Sequence, residues 1–568
     1  MLNMKRIITT IMILSVYSLS AQVNIGSGYG FNIGDGANLS ISGSSITLQD
    51  ASKLTIASTG KVYINNPITV ASNNINVLGN IEFKNTVSQT LNFNLYCKDL
   101  TVGQNLTINP SKEVTVSGTL TNSAGQTGLV IKSDATGTGS LIHSTASVGA
   151  TVERYIPNTG TFHLIGSPVA TQSISPSFTG DFYLWNIPTD WWIEYAESGF
   201  SSANNSSTNF QPGKGYLVDY ATLPTTKIFT GNLNQGTISY STQLTPFVNP
   251  TNDWGYDWNF VSNPYPSALD FNNSGINKSV LEKVLGYDKI YVWNDQISQY
   301  ASYSTQGIGQ NGGSQYIPVG QGYFVKADIA GSYTVSNTAR VHNTQLYMKT
   351  NSDIESNILR ISILSNTNNY TDELVLKFGN SLDNQGLQKR FSPVSTVPSL
   401  YSIKYNEKWS IDYLKNTTDN AVVPVGFRAG LDGEHTLSFK GLNNFEQVIL
   451  EDLKNGVRKT LSVDATYTFS ALKSDSPNRF LLHFKSATNV DDYITSNPQA
   501  WISDNKLVIE NPFTTNTDVQ IFDASGRIIS NYKAVNGQNS YIFDQTAGIY
   551  LVRMTNNGKD YKTKIVKL

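Results

Sequence analysis

Apolar and polar residues alternate in short runs along almost the whole chain, the period-two pattern of half-buried β-strands. From Val23 to about Ala150 each run holds only two apolar positions, as at Leu39 and Ile41, Leu54 and Ile56, Val62 and Ile64, Ile81 and Phe83, Leu106 and Ile108, Val114 and Val116, and Leu129 and Ile131, with Gly, Asn and Ser between them. A unit that short cannot bury its own apolar face, so neighbours must stack on one another. The pattern predicts a β-solenoid-like stalk over residues 22–150; because the spacing is irregular, an elongated sandwich is the second reading.

Residues 151–345 carry an internal repeat. His163-Leu164-Ile165-Gly166-Ser167-Pro168 is echoed by Trp258-Asn259-Phe260-Val261-Ser262-Asn263-Pro264, Tyr183-Leu184-Trp185-Asn186 by Tyr291-Val292-Trp293-Asn294, and Gly213-Lys214-Gly215-Tyr216 by Gly320-Gln321-Gly322-Tyr323. The offsets are 96 between Pro168 and Pro264, 108 between Trp185 and Trp293, and 107 between Gly215 and Gly322, so one insertion separates two copies of a β unit. It falls near Ser274 to Gly286. There Ser279 and Glu282 have capping-box spacing, and Val280, Leu281, Val284 and Leu285 have helical spacing, which predicts one short helix in the second copy. Further on, Leu359, Ile361 and Ile363, then Leu374, Leu376 and Phe378, then Phe480, Leu482 and Phe484 alternate cleanly and predict an immunoglobulin-like β-sandwich over residues 346–490. The fold class is all-β and multidomain.

The last segment, residues 491–568, reads as a small β module. Leu507 and Ile509, Val519 and Ile521, Ile549 and Leu551, and Ile565 and Leu568 mark its half-buried strands. Asn511-Pro512 starts a turn, Gly526 after Asp523 and Ser525 supplies a positive-φ position before Arg527, and Gly548-Ile549-Tyr550 opens a strand. Lys564 and Lys567 suit a closing edge strand. These residues, in this order, resemble the type A C-terminal sorting domain of the type IX secretion system. The resemblance implies a β-sandwich that carries the preceding cargo across the outer membrane, with Asn511, Pro512, Asp523, Gly526, Arg527, Gly548, Tyr550, Lys564 and Lys567 as the sorting motif. It also implies that the secretion machinery is a partner and that the protein ends in the medium or on the outer cell surface. The preceding body, from Arg154-Tyr155 to Arg479-Phe480, resembles that of many large surface proteins carrying this module; the resemblance implies a shared architecture and no chemistry.

The other end agrees with export. Lys5 and Arg6 precede an apolar run from Ile7 to Val16, and small residues lead to Ala21, so residues 1–21 read as a secretory signal peptide. The run is too short to span a membrane, and no transmembrane segment is expected in the mature chain. Charged residues are 14% of the chain and the net charge is −2, which provides no basic footprint for nucleic acid. The single cysteine, Cys97, follows the alternating run Leu91, Phe93, Leu95 and reads as a buried inert thiol.

Motifs for chemistry are sparse. The five histidines, His143, His163, His342, His435 and His483, show no zinc spacing, so no metal is expected, and His163 stands where the second copy has Trp258, which points to an aromatic-like packing role. Gly307-Ile308-Gly309-Gln310-Asn311-Gly312 has dinucleotide spacing but lies in a Gln/Gly/Ser loop without a βαβ unit, so no cofactor is expected. Asp253, Asp257, Asp270, Glu194 and Glu197 could furnish a glycosidase pair, though turn and rim roles are commoner. Trp191 and Trp192 cannot both face inward on one strand; with Glu194 and Tyr195 they form a candidate stacking face for surface glycans. The expectation is a non-catalytic adhesin or envelope structural component that acts on other cells or surfaces. The alternative is a glycan-binding or glycan-cleaving extracellular protein.

Overall fold

Leu39, Val62, Ile81, Leu100 and Leu120 stand in register, each paired with the next in one parallel sheet. They belong to a computed structural model that describes residues 17–19, 23–25, 30–41, 46–48, 53–57, 59–64, 68–70, 74–76, 79–83, 88–158, 162–178, 182–187, 191–194, 208–220, 222–240, 244–246, 258–283, 287–343, 357–379, 386–404, 407–415, 421–485, 498–503, 505–511, 513, 515–556 and 558–567. The chain divides into two compact units. The first comprises Met1–Asn416, Pro424–Asn444 and Ser462–Pro477, the second Thr417–Val423, Phe445–Leu461 and Asn478–Leu568. Among the described residues no α-helix forms.

In the first unit the N-terminal region is a β-solenoid. Consecutive strands join different parallel sheets, so each apolar pair stacks on the pair one turn away: Leu91 on Ile108 and Ile108 on Ile131, Leu95 on Val114 and Val114 on Leu141. These side chains fill one continuous core, because alternation points every second residue inward. Steps of 23, 19, 19 and 20 residues separate the five residues of the first stack, and this variable turn length is what blurs the sequence period. Tyr17–Leu19, inside the span read as a leader, pairs with Leu39–Ile41 as the first strand of that sheet. At the other end Gly149–Ile156 takes a parallel partner in Leu129–Ile131 and an antiparallel one in Thr225–Asn232, and so leads into the duplicated region. His342 ties the two regions together, one ring nitrogen 2.7 Å from the Thr115 hydroxyl and the other 2.8 Å from that of Ser140.

The duplicated region repeats one strand arrangement in one register. In the first copy Leu164 stands opposite Leu217, Ile165 opposite Tyr216, Tyr183 opposite Leu217 and Trp185 opposite Trp192. In the second, Phe260 stands opposite Phe324, Val261 opposite Tyr323, Tyr291 opposite Phe324 and Trp293 opposite Tyr300. The copies meet about a pseudo-two-fold axis. Gly166 N–H donates to the Gly320 carbonyl at 3.1 Å, and the counterpart bond runs from Ser262 N–H to the Gly213 carbonyl at 2.6 Å.

In two places the structure departs from the local sequence pattern. Residues 274–283 form turns and bridges rather than a helix: Leu281 bridges Ala327, and Glu282 reaches Lys289 at 2.9 Å and Lys326 at 3.3 Å instead of capping a helix. Residues 284–286 lie outside the described residues. The strand register also makes Trp258 the counterpart of Phe162 and Asn259 that of His163, and His163 does not pack as an aromatic surrogate; its Nδ1 lies 3.2 Å from an Asp295 carboxylate oxygen.

The first unit continues in a sheet whose strands run in the order Ser399–Lys404, Glu407–Lys415, Thr371–Gly379, Ile358–Ser365, Gly433–Lys440 and Thr466–Ala471. Asp372 anchors it from the interior, accepting from Lys389 Nζ at 2.5 Å, Leu400 N–H at 2.7 Å and Asn311 Nδ2 at 2.8 Å. The Gly307–Gly312 motif belongs to this support. Gly307, Asn311 and Gly312 take positive φ in a turn flanking the strand Ile308–Gln310, with no phosphate cradle at a helix start.

The second unit holds a three-stranded antiparallel group, Val457–Thr460, Gln447–Asp452 and Asn478–Lys485, and a two-sheet sandwich. One sheet joins Gln499–Ser503, Lys506–Asn511 and Gly537–Ile542; the other joins Ile528–Ala534, Thr517–Phe522, Gly548–Asn556 and Lys559–Lys567. Leu507, Ile509, Val519, Ile521, Val552, Met554 and Ile565 fill its core. Ile549 and Leu551 do not belong to it. They face outward, 48% and 51% exposed, while Tyr550, Val552 and Met554 point inward.

Candidate functional site

The sorting-motif residues are held by their own turns. Asn511 is fully buried, and its amide is completely satisfied: Nδ2 donates to the Thr515 and Ala534 carbonyls at 2.9 Å, and Oδ1 accepts from the Thr517 hydroxyl at 2.8 Å and Phe513 N–H at 3.2 Å. No aliphatic residue could close this corner. Pro512 lies outside the described residues. Asp523 Oδ1 collects the Ser525 hydroxyl at 2.6 Å and the backbone N–H groups of Ser525 and Arg527 at 3.0 Å, and Oδ2 accepts from Arg527 Nε at 3.1 Å. The Ser525 hydroxyl first, then the Arg527 backbone, hold the Asp523 carboxyl down to about 2. Gly526 closes the loop at φ +84°, a conformation costly for any residue with a Cβ.

Gly548 stands opposite Lys567 on the last strand pair, and the Tyr550 hydroxyl donates to the Thr546 carbonyl at 2.6 Å, fixing the entry to the strand. Lys567 donates to the Phe543 carbonyl at 2.8 Å, whereas Lys564, opposite Leu551, is exposed. The described motif positions therefore build the turns and the closing strands of a terminal sandwich.

The second candidate face lies in the duplicated region. The strand Trp191–Glu194 pairs with Phe182–Asn186, which puts Trp192 opposite Trp185 and Glu194 opposite Tyr183. Trp192 is half-buried. Its ring meets Trp185 at 4.9 Å, Phe260 at 5.4 Å and Phe324 at 6.1 Å, all edge to face, so one side of it belongs to an aromatic cluster. Glu194 is also half-buried; the Trp191 side chain and Tyr195 lie outside the described residues. Of the carboxylates considered for glycosidase chemistry, Asp270 accepts from Asn272 N–H at 2.9 Å and is a turn residue, while Asp253, Asp257 and Glu197 lie outside the described residues.

Arg390, which sequence reasoning missed, completes the cluster. Its guanidinium carbon sits 4.1 Å from the Phe324 ring centroid, 4.4 Å from Trp258, 4.7 Å from Tyr300 and 5.1 Å from Trp185. Ring quadrupoles stand in for the water that a buried cation loses. No local signal marks Arg390, because the four rings come from distant parts of the chain. Among the described residues no group of three or more His, Cys, Asp or Glu is placed to hold a metal ion, and no helix is long and apolar enough to cross a membrane.

A terminal sandwich of this build behind a β-solenoid and further β-sheets defines a class, the exported cargo of the type IX secretion system. Residues 503–568 match the family described as Secretion system C-terminal sorting domain, which directs export to the cell surface or beyond. The chain belongs to the family described as Domain of unknown function (DUF8693), which matches residues 70–484. It is 23% identical over 447 residues to the minor fimbrium subunit Mfa5 of Porphyromonas gingivalis, a match covering 67% of this chain and 34% of that protein. The chain thus spans about a third of the length of the curated relative it matches. A solved structure, the BSP domain of a biofilm associated protein, aligns with 73% of this chain and 92% of its own at 11% identity and a TM-score of 0.16.

Proposed function

We propose that this secreted protein is a non-catalytic adhesin or structural component of the cell envelope, and that its recognition surface lies in the duplicated region. The observation that carries the reading is the sorting sandwich attached to a body of stacked β-modules, the build of a displayed scaffold. The relative named as a minor fimbrium subunit supports it. The secretion machinery is its partner during export, engaged through residues 511–568, and other cells or surfaces are its partners afterwards.

The test has two arms. Deletion of residues 511–568 is expected to leave the remaining protein in the periplasm, and normal amounts outside the cell would overturn the export half. Cells lacking the protein are expected to lose adhesion or envelope integrity, and unchanged behaviour on both counts would overturn the adhesive half.

A second reading, glycan binding, is favoured by Trp192, which joins the aromatic cluster with one side and is only half-buried, next to the half-buried carboxylate of Glu194. Screening the purified mature chain on a glycan array, with Trp191→Ala and Trp192→Ala beside it, separates the readings. Lost glycan or cell binding with unchanged melting supports a stacking face formed by Trp191, Trp192, Glu194 and Tyr195; collapse of both variants removes that face.

A further inference from the structure

We propose that the cleft lined by Arg154, His163, Trp293 and Asp295 binds a hydroxyl group of a neutral saccharide or polyol. The inference goes beyond the adhesive reading and does not depend on it, since a scaffold or an adhesin could display the same site. The cleft opens to solvent, and its enclosed part has room for about one water-sized group, such as a single hydroxyl. It gathers Arg154 from the end of the solenoid, His163 from the first copy, and Trp293, Asp295 and Gln321 from the second.

Its polar atoms are oriented before any ligand arrives. Asp295 lies 3.2 Å from His163 Nδ1, and a carboxylate can only accept, so in the neutral ring Nδ1 carries the hydrogen and Nε2 presents a lone pair. Among the described residues that Nε2 has no hydrogen-bond partner, although the His163 side chain is 6% exposed. The Trp293 indole N–H likewise has none among the described residues, in a residue 4% exposed. Gln321 is fixed by Nε2 bonds to the Leu164 and Gly322 carbonyls at 3.1 and 3.0 Å, and its Oε1 receives Arg154 Nη2 at 3.1 Å.

The pseudo-two-fold shows that this is not what the fold requires. Trp185, the counterpart of Trp293, donates its indole N–H to the Trp258 carbonyl at 2.8 Å. The counterparts of His163, Asp295 and Gln321 in that half are Asn259, Ile187 and Lys214, which supply neither the histidine nor the carboxylate. One of two equivalent places has therefore acquired an unpaired donor, an unpaired acceptor and a pair of opposite charges.

A hydroxyl matches both free atoms, since its oxygen accepts from the indole and its hydrogen goes to the imidazole. Charge favours a neutral ligand over an anion. Burial pushes the Arg154 guanidinium down to about 9, which leaves it cationic at neutral pH, and Asp295 opposes that shift and balances its charge.

The test uses the purified mature protein with methyl α-D-glucopyranoside, methyl α-D-mannopyranoside, methyl α-D-galactopyranoside and glycerol as neutral probes and sodium acetate as the charged one. At least one neutral probe is expected to move the Trp293 indole N–H resonance saturably. Its affinity, by calorimetry, should fall at least about tenfold in Trp293→Phe and in His163→Phe, each of which removes one of the two bonds. Where a variant melts early, the wild-type resonance decides alone. Acetate binding without any neutral probe, or a crystal structure at saturating probe with only an ordered water in the cleft, would overturn the proposal. Adhesion is measured separately, so a variant that loses the sugar and still adheres leaves the adhesive reading intact.

Discussion

Ile165 bridges Gln321 across the boundary between the two copies, and their counterparts Val261 and Lys214 form the same bridge in the opposite sense. An isologous contact of this kind makes positions near the axis meet their own equivalents. Gly166 and Ser262 are such a pair. A Cβ added to Gly166 would fall on the Cβ and Oγ of Ser262, so one of the two must be glycine.

Gly166→Ala is therefore expected to destabilise the protein by about 1–3 kcal/mol, as overpacking does. Adding Ser262→Gly should restore most of the loss. Denaturant melts of the two single variants and the double variant check this, and a double variant no better than Gly166→Ala would dispose of the steric account.

In the second unit Arg479 holds Asp452 with two bonds, Nε to Oδ1 at 3.1 Å and Nη2 to Oδ2 at 2.9 Å, both side chains almost fully buried. Removing one partner leaves an uncompensated charge. Asp452→Ala should cost roughly 3–5 kcal/mol in chemical denaturation. A loss under about 1 kcal/mol, the value of an exposed pair, would mean the site is wet.

The register of Gly548–Asn556 makes opposite predictions for neighbours. Val552→Asp puts a charge into the sandwich core and should unfold it, whereas Leu551→Asp should change stability by only about 0.5 kcal/mol. Comparable melting of the two proteins would place the strand one residue out of register.

Asp523 gives a pH signature. Its folded carboxyl titrates near 2, below the ordinary value of about 3.9 for an unfolded chain. The turn bonds therefore contribute fully above pH ~4 and are lost as the pH falls through ~2. Carboxyl carbon NMR should show a midpoint near 2 for Asp523; a midpoint near 4 would mean that the Ser525 and Arg527 bonds do not form in solution.

Cys97 lies in the solenoid core, its thiol pushed up to about 12 chiefly by burial. Ellman's reagent should leave the native protein untouched and titrate one thiol after guanidinium unfolding. Rapid native labelling would show an open coil.

Much of the architecture was legible because period-two patterning acts locally. The pairs from Leu39 to Ile131 needed only the argument that two apolar residues cannot form a core, and the coil followed. The repeat was legible because each copy needs the same residues at the same cross-strand places, Trp185 beside Trp192 and Trp293 beside Tyr300. Asn511, Asp523, Gly526 and Tyr550 were legible because turn chemistry names its residues.

Other features depended on residues far apart in the chain. Helical spacing at Val280 and Leu281 lost to pairing with the strand end near Ala327 and to the two lysines that hold Glu282. Ile549 and Tyr550 are both apolar enough for a core, and only the opposing sheet settles which one faces it. Arg390 among four rings, and His163 held by Asp295 beside an indole with no partner, arise where distant segments meet. Local sequence determined which strands form and where they turn; the tertiary structure decided which faces, charges and unpaired atoms come together, because those energies depend on burial and on neighbours from other parts of the chain.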